Sequence, residues 1–275
     1  MAAPTEHSLL IVDAVNAALG PVVRAAGEAI GHHFAHPEAP IPNYMVMVGL
    51  ITLIITTIGL MIRSRLSVEN PGKFQILLED GISAVRGLLE EWIGPSGARF
   101  LPLVITLGIF ILMGNYMGLV PGRMAPTSSI NVTLGCAITI WVYYHFQGIK
   151  AQGLGAYLWH FAAPPGAPLA LAPIMLPIEL ISHLSRVMSL SLRLFGNIFG
   201  EELVIAILFS IVPFLVPLPM MLLGLLTSTL QAAIFVMLTM IYLGGAVQSE
   251  GHGDEHGHEH AHEPHGVHVQ PAVQL

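Results

Sequence analysis

PIELISHLSRVMSLSLRLFGNIFGEE, residues 177–202, is the stretch on which the reading of this sequence turns. At 100° per residue, positions seven apart lie within about 20° of one another on a straight helix. Glu179, Arg186 and Arg193 are spaced by seven, and Ser182, Ser189, Gly196, Asn197 and Gly200 fall near the same line. The outcome is one polar, small-residue stripe about five turns long on an otherwise apolar helix. Glu202, nine residues after Arg193, projects from the opposite side.

The surroundings make that stripe expensive. The chain of 275 residues is 54% hydrophobic and 10% charged, with a mean hydropathy of +0.72, whereas a soluble domain is about 25% charged. It reads as a membrane protein, and a cation near the bilayer centre costs roughly 2.5–3.5 kcal/mol even on the lenient insertion scale. The net charge of −7 comes largely from the C-terminal tail, so it gives no reason to expect a nucleic-acid partner or an acidic substrate. The single cysteine, Cys136, lies inside an apolar run, cannot form an internal disulfide and acts there as a small hydrophobe. The opening MAAPTEHSLL has no basic stretch leading into an apolar core, so it looks like neither a signal peptide nor an organellar presequence, and the mature chain is expected to start near Met1.

Working outward, residues 43–62 are uncharged and long enough to cross about 30 Å of hydrocarbon as a helix. Residues 100–122 and 130–148 are uncharged but for the turn PGRMAPTSS that joins them, which predicts a helical hairpin. Residues 74–93 mix Ile76, Leu77, Leu88, Leu89 and Trp92 with Glu79, Asp80, Arg86, Glu90 and Glu91, the pattern of an interfacial amphipathic helix. After the Gly/Pro-rich APPGAPLALAP, a helical pattern runs over 172–214, interrupted early by Pro177. VPFLVPLP at 212–219 breaks the uncharged run that follows, leaving a last helix over 220–246. The expected fold is therefore an all-α polytopic membrane protein. It has about five embedded helices and one interfacial helix, and the last two helices are long, tilted and packed as a hairpin.

Arg63, Arg65, Lys73, Arg86, Arg99 and Lys150 fall on one side of these spans, and Arg24 and Arg123 on the other. The positive-inside rule puts the first group in the cytoplasm, residues 1–42 outside as an N-terminal segment, and the C-terminus inside. No inverted repeat of hydropathy is visible, which weakens a secondary-transporter reading. On the 172–214 helix Glu179 lies about 21 Å inward of Arg193 and Glu202 about 14 Å outward of it along the axis. That order suggests a protonatable group reachable from each side with a fixed cation between them. Blander readings stand beside it. An intramembrane arginine also pairs with a carboxylate to lock a fold, Arg186 is equally read as a cation snorkelling to the interface, and Glu179 as a helix-start carboxylate. Ser189, Gly196 and Gly200 read first as packing positions, and Glu201 as solvent-facing or paired. His145, His160 and His183 read as packed or interfacial residues.

With these residues in view, the chain resembles the subunit a family of F-type ATP synthases over about residues 41–243. The pieces that carry the likeness are NPGKFQ (70–75), GNYMGLVPG (114–122), PTSSINVTLG (126–135), the 177–202 stretch with SLRLFGN at its centre, and LQAAIFVMLTMIYL (230–243). The resemblance implies that Arg193 is the family's essential stator arginine, facing a c-subunit rotor ring whose carboxylates carry protons. It also points to Glu179 and Ser182 in an inner access path, Asn197 and Glu202 in an outer one, and Gln231 and Tyr242 near the arginine. Glu201, Arg186 and His183 are secondary candidates. Some relatives carry an Asp where Ser129 stands and a His where Gly224 stands, so the outer path here leans on Glu202 and water. The implied partners are the ring, the peripheral-stalk b subunits and the remaining synthase subunits, in a bacterial plasma membrane. The ion is H+ ahead of Na+, with no metal or cofactor. The chain has no phosphate-cradling glycine loop, so it is expected not to be an enzyme by itself.

Residues 250–275 hold seven of the fourteen histidines, at 252, 256, 258, 260, 262, 265 and 268. This low-complexity His/Glu/Gly segment is expected to be a disordered cytoplasmic tail. It also prompts the alternative of a divalent-metal transporter, although such a protein needs paired His and Asp ligands within its spans, where this chain has single histidines. A non-transporting membrane scaffold is a third class, and it has no need of Arg193.

Overall fold

The computed structural model describes residues 10–29, 39–67, 71–120, 123–162, 172–212 and 215–247. These residues form eight α-helices and two short 3-10 turns, with no strand among them. The helices are α1 (Leu10–Ala29), α2 (Asn43–Arg65), α3 (Lys73–Ile93), α4 (Leu101–Gly118), α5 (Ile130–Gln152), α6 (Leu154–Ala162), α7 (Ala172–Ile211) and α8 (Pro217–Val247). Five helical segments are long and apolar enough to cross a membrane: Leu10–Ala29, Asn43–Arg65, Pro95–Gly118, Pro173–Ile211 and Pro217–Val247. The protein is an all-α polytopic membrane protein.

The reason for helices is local. In hydrocarbon every backbone N–H and C=O needs a partner within its own segment, and the long Leu/Ile/Val/Met runs supply no turn residues to stop them. Gly94 and Gly153 do stop them. Each adopts a positive φ, 91° and 83°, and sends its N–H back to the Glu90 or Ile149 carbonyl, closing α3 and α5. Pro177, read from the sequence as an interruption, does not break α7. It stands in the second turn, so the helix loses only the bond to the Pro173 carbonyl. The last helix also begins three residues earlier than its pattern suggested, because Pro217 suits a first helical position where no N–H is needed. A helix over Leu10–Ala29 was not anticipated. Asn16 ties it to the start of α2, its side chain donating to the Ile41 carbonyl at 3.1 Å and accepting from the Ile41 N–H at 3.0 Å.

At about 1.5 Å per residue, the 40 residues of α7 and the 31 of α8 extend ~60 and ~46 Å, well beyond a ~30 Å hydrocarbon core. Helices of that length must tilt. The two pack against each other, and α5 packs against both, while α4 covers the other flank of α8. The core lies between them: Val187, Leu190, Leu194 and Ile198 of α7 meet Ala232, Phe235, Met240 and Leu243 of α8 and Ala137 and Ile140 of α5. The α7 members recur at the three- and four-residue steps of one helix face, which consigns the polar stripe to another face. Helix α3 buries Leu89 and Ile93 in the same core, packs on α8, and leaves Phe74, Leu77 and Ile82 exposed.

Candidate functional site

The stripe on α7 is open in its middle and partly covered toward its ends. Arg193, Ser189, Gly196 and Asn197 are exposed, and Glu179, Ser182, Arg186 and Gly200 are half-buried. The two long helices also expose apolar side chains, among them Leu192, the neighbour of Arg193 in sequence, and Met188 and Phe199 of α7 and Ile234 and Met237 of α8. Among the described residues the Arg193 guanidinium makes no salt bridge, and no hydrogen bond from it is present. No acid among the described residues locks it.

One turn further along, Asn197 donates its side-chain N–H to Gln231 Oε1 of α8 at 2.9 Å. Gln231 is 2% exposed and its Nε2 has no hydrogen-bond partner among the described residues. The pair joins α7 and α8 beside the arginine and leaves one buried donor unspent.

Toward the α7 C-terminus stand the two adjacent glutamates, and the structure gives each its own seat. Glu202 turns inward to the loop between α4 and α5, where the Ala125 N–H donates to its Oε1 at 2.5 Å. The loop is held in place from behind: the Thr127 hydroxyl donates to Asn115 Oδ1 at 2.8 Å, and Asn115 Nδ2 donates to the Ser228 carbonyl at 3.3 Å. Gly118 leaves the room required, since a Cβ there would lie 2.7 Å from Glu202 Oε1. An open cleft of about 650 Å³ reaches this carboxylate, lined by Gly118, Arg123, Glu202, Ile205, Phe209 and Met221 among others.

Glu201 turns to α8. Thr227 donates its hydroxyl to Glu201 Oε2 at 3.0 Å, and a Cβ on Gly224 would fall 1.8 Å from Glu201 Oε1. The absent side chain of Gly224 is therefore the space that Glu201 fills. The sequence ranked Glu201 below Glu202 and read position 224 only as a missing titratable group; the structure places a carboxylate there from the neighbouring helix.

At the opposite end of α7, Glu179 Oε1 lies 3.2 Å from His183 Nε2. Arg186 sits over the Tyr242 ring, 5.6 Å from its centroid, rather than extending away from the protein as a snorkelling cation would. Ser182, half-buried on the same stripe, accepts a bond from the Ser185 hydroxyl at its carbonyl, 3.1 Å. Sequence reasoning missed Ala125, Asn115, Thr127 and Thr227. The first three lie in or beside motifs already singled out, GNYMGLVPG and PTSSINVTLG, but nothing in their spacing says which carboxylate they meet. Among the described residues no group of three His, Cys, Asp or Glu side chains comes together to hold a metal; residues 248–275, with the histidine-rich tail, lie outside the described residues.

Fold and site together define a class: a polytopic helical membrane protein that presents an exposed cation on one long, largely apolar helix, flanked along it by carboxylates on either side. Residues 44–244 match the family model described as ATP synthase A chain. The chain is 43% identical over 219 residues to a protein of Citrifermentans bemidjiense named ATP synthase subunit a, covering 80% of this chain and 91% of that one. It is 49% identical over 182 residues to the protein of that name from Geotalea daltonii, covering 66% and 77%. With the subunit a of Campylobacter jejuni it shares 45% identity over 213 residues, covering 76% and 92%. The chain belongs to the ATP synthase A chain family.

Proposed function

We propose that this chain is the proton-translocating stator subunit of an F-type ATP synthase, with Arg193 facing the rotor ring and two offset access paths on either side of it. The observation that carries the reading is Arg193 itself: exposed at mid-helix on a largely apolar helix, with no salt bridge to an acid among the described residues. A cation so placed needs an opposite charge from outside the chain, and a ring of small subunits bearing carboxylates supplies one after another.

The outer path runs through the cleft at Arg123 and Phe209 to Glu202 and Glu201, then along Asn197 and Gln231 toward Arg193. The inner path leaves near Glu179 and Ser182. A proton arriving by the outer path neutralises a rotor carboxylate, which can then enter lipid. After nearly a full turn it loses the proton at the inner path and is drawn to Arg193. Burial in lipid favours the neutral acid and the guanidinium favours the carboxylate, so the charge exists only beside the stator. Because the guanidinium stays protonated at physiological pH, it bars a direct proton leak between the paths. The membrane potential contributes roughly 2.3 kcal/mol per charge per 100 mV, so several protons are needed for each ATP made elsewhere in the complex. The chain conducts protons and makes no ATP itself. Its partners are the c-ring, the b subunits and the rest of the synthase, in a bacterial inner membrane with the N-terminus outside. H+ rather than Na+ is the transported ion. No observation in the described residues favours the metal-transporter alternative.

Arg193→Ala tests the reading. In membrane vesicles carrying the assembled complex it is expected to abolish ATP synthesis driven by a proton gradient while leaving a passive leak. Coupled synthesis at the parental rate would overturn the assignment.

A further inference from the structure

Behind Glu179 the structure gathers His183 and His145, each read from the sequence as a single packed or interfacial residue with His183 also a secondary site candidate, and two tyrosines that the sequence did not single out. His183, one turn along α7, is 8% exposed. Its Nε2 lies 3.2 Å from Glu179 Oε1, and its Nδ1 lies 2.7 Å from the Tyr144 hydroxyl of α5. Next to this pair, His145 Nδ1 of α5 meets the Tyr157 hydroxyl of α6 at 2.6 Å, and the two imidazole centroids are 4.9 Å apart. Tyr157 reaches this position over Gly148, where a Cβ would lie 2.5 Å from its ring. Helices α5, α6 and α7 thus contribute to the cluster around the His183 imidazole.

The polarity of the chain of bonds follows from what each atom can do. An ionised carboxylate only accepts, so His183 Nε2 carries the hydrogen, and in the neutral ring Nδ1 is then an acceptor for the Tyr144 hydroxyl. One added proton makes Nδ1 a donor and the Tyr144 hydroxyl its acceptor, so the tyrosine hydrogen that pointed at Nδ1 turns away from the ring, while the imidazolium keeps its Nε2–H on Glu179. The proton taken from the path stays on the ring, its charge balanced by the carboxylate. Histidine is the side chain whose charge ordinarily changes between pH 5 and 8.

We infer that His183, positioned by Tyr144, is a further proton-holding residue of the inner path, the Glu179–His183 pair taking up one proton as an ion pair and releasing it to the cytoplasmic side. This rests on the reading of Glu179 as part of that path. Glu179 of α7 and Tyr144 and His145 of α5 stand against His183; around these lie Tyr157 of α6, against His145, and Arg186 of α7 and Tyr242 of α8, against Tyr144. The ring thus has a carboxylate at one nitrogen and a hydroxyl at the other, the partners that a proton-holding imidazole uses.

The test uses vesicles carrying the whole synthase, with ATP-driven proton pumping, and passive conductance after the catalytic sector is stripped, recorded while the inner-side pH is varied from 5.5 to 8.5. His183→Gln is expected to lower conductance per assembled complex at least about tenfold and to flatten its dependence on inner-side pH. Tyr144→Phe keeps the ring packing, removes the hydroxyl, and is expected to shift the midpoint of that dependence. Parental conductance and pH profile in assembled His183→Gln complexes would overturn the inference. If His183→Gln fails to assemble, an unchanged midpoint in Tyr144→Phe overturns it instead. Arg193→Ala in the same vesicles separates the two levels: coupling that survives it removes the stator reading, whereas lost coupling with parental His183 and Tyr144 variants removes only the inference.

Discussion

Gly224→Ala puts the seat of Glu201 to a direct test. The added Cβ would lie 1.8 Å from Glu201 Oε1 and 2.7 Å from its carboxyl carbon. An unstrained non-bonded contact requires about 3.5 Å, so the carboxylate must withdraw by roughly 1.7 Å. That movement breaks the 3.0 Å bond from Thr227, a loss of about 1 kcal/mol if the acid is neutral and up to about 3 if it is ionised. If Glu201 serves proton transfer in the outer path, the same energy appears in the barrier as a fall of about 5- to 160-fold in conductance. The substitution would otherwise strengthen the helix, since alanine is favoured over glycine in a helix interior by about 1 kcal/mol, so a drop is not explained by a weaker α8. Passive proton conductance of stripped vesicles, normalised to assembled complex, is the assay. Gly135→Ala, where a Cβ meets nothing within 4 Å, is the matched control and is expected to conduct as the parent does. Shortening the acid by one methylene, Glu201→Asp in the Gly224→Ala background, is expected to recover part of the loss. Parental conductance in Gly224→Ala would refute a role for Glu201 in the path.

Glu202→Gln retains an oxygen to accept the Ala125 N–H but cannot carry a proton, so it is expected to assemble normally and conduct at least about tenfold less; unchanged flux would remove Glu202 from the outer path. Gln231→Leu deprives Asn197 of its acceptor, with an expected loss near 1 kcal/mol, or about 5-fold in flux; full flux would reduce the pair to helix packing. Gly97→Ala would set a Cβ 2.2 Å from the Leu89 carbonyl oxygen, a backbone contact that cannot rotate away. It is expected to cost about 1–3 kcal/mol and to lower the melting temperature of the detergent-solubilised complex, whereas Gly87→Ala, interior to α3 with open space around it, is expected to hold or slightly raise the melting temperature.

The sequence alone determined the stripe and most of the long helices, though not the one over Leu10–Ala29. Hydrophobic runs and the seven-residue spacing of Glu179, Arg186 and Arg193 are local properties, set by 3.6 residues per turn and by the need of backbone groups for partners within their own segment. It also put Asn197 one turn from Arg193, and the motif LQAAIF pointed to Gln231. Tertiary structure alone decided which groups meet. Glu202 and Ala125 are 77 residues apart, Asn197 and Gln231 are 34, and Tyr144 and His183 are 39. No periodicity within one helix encodes such pairs, because they depend on how α5, α7 and α8 are rotated and shifted against one another. The same packing turned Arg193 outward and unpaired while it drew Glu201 into the space above Gly224 and His183 into a buried cluster. Which face of a helix is polar is written along the chain; what that face confronts follows from burying the apolar faces of its neighbours.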